Sequence, residues 1–207
     1  MKTILLTFLS FSLGALAATP TPLIKNDQVI ATEETLRPGQ TEAAGNMQPS
    51  ITVFLTDGAV QRTPDGGTPV TTTVKRGEVI FRRPRDGKLT ATGAAEMRLV
   101  RVEFSGTESK VVWGTTGFGP DSKMLVENGY VRAYDIRIPA GINEPQHTHH
   151  DRVVVCLSGA QLRHLLPDGH EEDSTIKTGE TLWRRGQTHI GKNIGATDLW
   201  VIAIEPK

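Results

Sequence analysis

The chain repeats itself, and that limits the fold more than any other feature. The segment KRGEVIFRRPRDGKLTATGAAEMRLVRVEF, from Lys75, lines up with KTGETLWRRGQTHIGKNIGATDLWVIAIEP, from Lys177. Gly77-Glu78 matches Gly179-Glu180, Arg82-Arg83 matches Arg184-Arg185, and Gly93-Ala94 matches Gly195-Ala196, each 102 residues apart. The same offset pairs Val29 with Val131, Ala31 with Ala133, Gly39 with Gly141, Leu55 with Leu157 and Glu103 with Glu205. Only the Pro64-Asp65-Gly66 and Pro167-Asp168-Gly169 turns slip by one. A constant offset over this length makes the chain two copies of one module, residues 20–106 and 125–207. The join, GTESKVVWGTTGFGPDSK, is rich in glycine and turn formers and reads as a connector.

Each copy reads as strands. RVVVCLSG, DLWVIAIE and ITVFLTDG are short, rich in β-branched residues and bounded by Asp, Gly and Pro. Helix signals are scarce. Many short strands at regular spacing predict an all-β barrel or jelly roll in each half. A barrel of this size is small, so the copies are expected to pack together and share apolar surface.

Charge and cysteine exclude some classes. The 207 residues carry no net charge, which argues against a nucleic-acid binder with its basic face. The pairs Arg82-Arg83 and Arg184-Arg185 read as solvated or salt-bridged. The single cysteine, Cys156, permits no internal disulfide and reads as a buried, inert thiol. Residues 1–17 join Lys2 to an apolar stretch and end on Ala15-Leu16-Ala17, a secretory signal pattern. That stretch is short for a membrane span. The expectation is a periplasmic or secreted protein with no membrane segment after cleavage.

Half of the six histidines fall in HTHH, His147 to His150. Gly141 precedes His147-Thr148-His149 by five residues, and Gly159 closes the segment. Further on, Gly179 opens a second segment that ends Gly186-Gln187-Thr188-His189-Ile190-Gly191-Lys192-Asn193. These two patterns, in this order, resemble the first and second motifs of the cupin family over residues 129–207. Through the repeat, the likeness extends to residues 27–104. The whole then resembles a bicupin: two tandem jelly-roll barrels.

The resemblance implies a metal held by His147, His149 and His189. Alternation along a strand agrees, since residues i and i+2 point to one side and His150 to the other. Neutral imidazoles suit Fe, Mn, Zn, Ni or Cu. The family's usual fourth ligand is a glutamate. Counting back from Gly159 puts Arg152 at that place, and counting forward from His149 puts Val153 there. Asp151 is the nearest carboxylate and a candidate oxygen ligand. The alternatives are a three-histidine site, as in thiol dioxygenases, or a weak site that is often empty. In the first copy His147 corresponds to Gly45, His149 to Met47 and His189 to Gly87, so that copy lacks the ligands. His164 and His170 flank a turn and read as surface residues.

Two functions follow. One is an exported, metal-dependent cupin enzyme, a dioxygenase, isomerase or lyase, acting on a small molecule. The other is a cupin that binds a small ligand or carbohydrate without turnover. The family often forms homodimers, a contact that two copies in one chain can also supply.

Overall fold

A computed structural model describes residues 20–43, 47–64, 66–114 and 118–207. The expected signal segment, Gly45 and Asp65 lie outside the described residues. Among those described there are seventeen strands and no helix. The first eight are β1 (Ile24–Lys25), β2 (Val29–Leu36), β3 (Ser50–Phe54), β4 (Gly58–Arg62), β5 (Val70–Val74), β6 (Val79–Arg82), β7 (Thr90–Ala91) and β8 (Met97–Phe104). The remainder are β9 (Lys123–Glu127), β10 (Val131–Ile138), β11 (His147–His149), β12 (Arg152–Ser158), β13 (Ala160–Leu165), β14 (Glu171–Ile176), β15 (Thr181–Arg184), β16 (Gln187–Asn193) and β17 (Leu199–Pro206).

The repeat is visible in the pairing. One five-stranded sheet runs β1-β2-β8-β3-β6, and its counterpart runs β9-β10-β17-β12-β15. A second sheet closes each barrel: β5-β4-β7 in the first half, β11-β16-β13-β14 in the second. The turns repeat too. Gly39 and Gly141 have φ of 79° and 78°, and Gly77 and Gly179 have 85° and 87°. These left-handed conformations favour glycine, which explains why the repeat keeps it there. Asn26 Oδ1 accepts the Gln28 and Val29 N–H groups, just as Asn128 Oδ1 accepts those of Tyr130 and Val131. The counterparts of strand β11 in the first half, residues 45–47, lie largely outside the described residues.

The two five-stranded sheets face each other across one core. Val29, Ala31, Ile51, Val53, Val100, Val102 and Phe104 of the first half pack with Val131, Ala133, Val153, Val155, Leu157, Ile202 and Ile204 of the second. Trp183 and Trp200 pack at its edge. The alternate residues of the same strands point into the barrels. In the second barrel they form a separate core of Tyr134, Ile136, Val154, Cys156, Leu199 and Val201 with their neighbours. Cys156 is buried, and burial raises its thiol to about 11, which suits an inert core residue. Strand alternation thus builds a shared core on one face and a barrel interior on the other.

Candidate metal centre

Strands β11 and β16 bring the histidines together. They pair antiparallel with His147 opposite His189, Thr148 opposite Thr188 and His149 opposite Gln187. His147, His149 and His189 point inward and are buried, while Thr148 faces out. One ring nitrogen from each lies within 4.8 Å of the others.

Hydrogen bonds fix two of the rings. His147 Nδ1 lies 2.9 Å from the Pro145 carbonyl, which can only accept, so Nδ1 carries the proton. His149 Nδ1 lies 3.4 Å from Glu205 Oε1, an oxygen that already accepts the His150 N–H at 3.1 Å. His147 therefore turns an unprotonated Nε2 toward the Nε2 of His149, 3.1 Å away. With the His149 proton on Nδ1, facing Glu205, two lone pairs face each other, an arrangement that a cation between them relieves. Nitrogens bound at about 2.1 Å to one ion are separated by about 3.0 Å at a right angle and about 3.4 Å at the tetrahedral angle, so the spacing fits a metal. His189 Nδ1 is buried and has no hydrogen-bond partner among the described residues. Burial, with cationic neighbours such as Arg152, lowers the basicity of all three rings, that of His189 to about 3. Neutral imidazole is the ligand form.

Glu144 stands beside the cluster. Its backbone N–H donates to the Gly191 carbonyl at 2.7 Å, which ties the loop before β11 to β16. The side chain is buried, with Oε2 3.9 Å from His147 Nε2 and the Gly119 backbone N–H acting on the carboxylate. Burial pushes its carboxyl up to about 7. A Cβ on Gly191 would come within 2.9 Å of Oε2, so that glycine makes room for the carboxyl group. From the connector, Phe118 covers the other side, with its ring 5.0 Å from His147 and 4.7 Å from His149.

The cluster opens on a cavity of about 640 Å3, whose walls include Glu144, His149, Arg152, His164, Arg184 and His189. Ile136, Ile138, Val154, Leu162, Leu199 and Val201 supply the apolar lining. Arg152 is buried there, and burial lowers its guanidinium to about 10, so it stays charged at neutral pH.

No protein-family model matches the chain, and no curated protein does. Solved structures do match. AerE from Microcystis aeruginosa superposes with a TM-score of 0.62 at 14% identity, over 91% of this chain and 97% of that one. An oxalate decarboxylase variant from Bacillus subtilis gives 0.63 at 11% identity, over 86% and 69%. A cupin 2 conserved barrel domain protein from Leptotrichia buccalis gives 0.57 at 13%, over 90% and 88%. This is the cupin fold. Another structure of the Bacillus enzyme, with a TM-score of 0.59 at 11% identity over 86% and 69%, concerns its Mn(II) centres.

The first cupin barrel fills its interior with ions. Arg82, fully buried, clasps Glu42 through both terminal nitrogens, and Arg101 Nη1 reaches the same carboxylate at 3.3 Å. Arg82 also contacts Thr52, and Arg101 contacts Glu103. Met47 is exposed. Of the two sequence readings of Arg82, solvated or salt-bridged, the salt bridge holds, and it lies inside the barrel rather than in solvent.

Three side chains of the second cupin barrel differ from expectation. Asp151 is not part of the cluster. Its Oδ1 accepts the Gly186 N–H at 2.7 Å and its Oδ2 accepts from Arg185 at 2.9 Å, so it fastens the loop between β15 and β16. Those bonds hold its carboxyl below the usual range. His164 is not a surface residue. It lines the cavity with its ring 4.4 Å from that of His189. Alternation from Ala160 through Leu162 to His164 was the available signal. Glu144 had no such signal, because it precedes the strand. His150 stacks on Trp113 at 3.8 Å, outside the cluster. Asn193 donates to the Ile138 and Thr197 carbonyls and fastens a turn.

Proposed function

We propose that the chain is an exported bicupin whose second barrel holds one divalent transition metal and acts on a small molecule. His147, His149 and His189 are its nitrogen ligands, and Glu144 is the adjacent oxygen donor. The observation that carries this reading is three buried histidines with the Nε2 atoms of His147 and His149 3.1 Å apart, the Nδ1 of each facing an oxygen on its far side. The donor set suits Mn, Fe, Zn, Ni or Cu, and the Mn(II) centres of the similar Bacillus enzyme support the choice of a divalent ion. A bound metal supplies an open position that polarises a substrate oxygen or takes dioxygen, which covers lyase, isomerase and dioxygenase chemistry.

The residues of the chain do the rest. Phe118 keeps water from one side of the histidines. The aliphatic walls hold the carbon skeleton of a ligand, and Glu144 holds a proton or yields it at its carboxyl group. The test is metal analysis of the purified chain after loading with Mn, Fe or Zn. The expected result is about one equivalent per chain, lost in His147→Ala. A loaded wild type without metal sinks the reading.

One observation favours a second reading. Arg152, at a place where the family's glutamate was sought, puts a buried positive charge in the cavity, which opposes a cation. A barrel that binds a small ligand without metal or turnover follows from it, and the same metal analysis separates the two. Export is tested by N-terminal sequencing of protein recovered from periplasm or medium, with a start near Ala18 expected.

A further inference from the structure

Arg152 and Arg184 are directly opposite each other on β12 and β15, and both line the cavity. Like charges directly across an antiparallel pair repel. A protein interior tolerates that when an anion lies between them. Among the described residues, no carboxylate lies within ion-pair reach of either side chain. Arg152 spends only Nη1, on the carbonyls of His150 and Arg185. The Arg184 side chain makes no hydrogen bond to the described residues. The acids around the cavity are engaged elsewhere: Asp173 with Arg163, Glu172 with Gln187, and Glu144 beside His147.

The first barrel shows the same arrangement satisfied. Arg82 stands 102 residues before Arg184, and Glu42 stands 102 before Glu144. There, Arg82 and Arg101 share one carboxylate, that of Glu42. In the second barrel Ala203 replaces Arg101 and Arg152 replaces Ser50, so the interior still holds two arginines. The carboxylate that would clasp them has turned to His147. The first barrel supplies its own acid, and the second leaves that place open on a cavity.

We infer that the cavity of the second barrel binds a small organic acid, its carboxylate held between Arg152 and Arg184. The aliphatic half of the wall selects a carbon skeleton over an inorganic anion. Planar guanidinium groups match a carboxylate through paired hydrogen bonds. The inference names the ligand class of the site proposed above and rests on that cavity being the ligand site.

The test is calorimetric titration of the full chain, stripped of metal by chelator, with malonate and with succinate. Their neutral diamides and inorganic phosphate are titrated in parallel. One of the two acids is expected to bind at least about tenfold more tightly than its diamide and than phosphate. Arg184→Gln and Arg152→Gln are each expected to weaken it by about tenfold or more. Arg184 is half-buried and its side chain makes no bond to the described residues, so Arg184→Gln keeps its fold, checked by its urea midpoint, even if Arg152→Gln does not. Binding of neither acid, equal binding of the diamides, tighter binding of phosphate, or undiminished binding by Arg184→Gln overturns the inference. Metal content is read on the same preparations after reloading. Acid binding in a chain that takes up no metal leaves this inference standing and removes the metal reading. Metal uptake without acid binding does the reverse.

Discussion

Two carboxylates flank the histidine strand and end in different surroundings. Asp151 turns outward and is consumed by Gly186 and Arg185. Glu144 turns inward because its backbone is tied to Gly191, whose missing side chain leaves space for it. Glu144→Gln is therefore expected to weaken metal affinity by about tenfold or more, while Asp151→Asn leaves the metal stoichiometry unchanged. Competition with a fluorescent chelator measures both. Gly191→Ala puts a methyl group 2.9 Å from Glu144 Oε2 and is expected to cost about 1–3 kcal/mol in a urea titration. Spacing made the histidines legible, because a period of two along a strand sets the face of His147 and His149. The same period was sufficient for His164. Glu144 was not legible, since a loop residue has no period and its direction comes from a tertiary hydrogen bond.

At the scale of strands, the repeat exposes the architecture because turns need particular residues. Gly39, Gly77, Gly141 and Gly179 have to adopt positive φ, so the sequence keeps them while other positions drift. The content of the barrels follows no such rule. The first barrel's plug draws Glu42 from a loop, Arg82 from β6 and Arg101 from β8, residues far apart in the chain. No local pattern marks such a set, and the Arg82-Arg83 pair reads as solvated or salt-bridged until the pleat is fixed. Removing the acid alone leaves two buried guanidinium groups without their shared partner. Glu42→Ala is expected to destabilise the chain by about 3–5 kcal/mol, read from chemical denaturation. A loss below about 1 kcal/mol would mean that water reaches the barrel interior.

For the whole molecule, the shared core ties the fate of each barrel to the other. The face formed by Val131, Ala133, Val153, Val155, Leu157, Ile202 and Ile204 packs against the first module. Residues 107–207 expressed alone expose that face, and self-association in sedimentation is the expected result. The barrel interior adds a dependence on pH. In the metal-free protein, burial depresses His147, His149, His164 and His189 below their ordinary value near 6.5, and it raises Glu144 and Glu205 to about 7. Unfolding frees all six groups. As pH falls below 6.5 the unfolded chain takes up protons on four histidines that the folded chain refuses, so folding loses stability. The two glutamates act in the opposite sense: the folded chain keeps their protons, and the stability this adds fades as pH rises toward 7. Four groups outweigh two, so the unfolded state binds more protons between the carboxyl range and 6.5, and stability falls with pH there. The urea midpoint of chelator-treated protein is expected to drop between pH 7.5 and 5.5. His164→Gln removes one of the four without touching the three ligands, so its midpoint changes less over the same interval. A midpoint that holds or rises on acidification would place the four histidines in contact with bulk water.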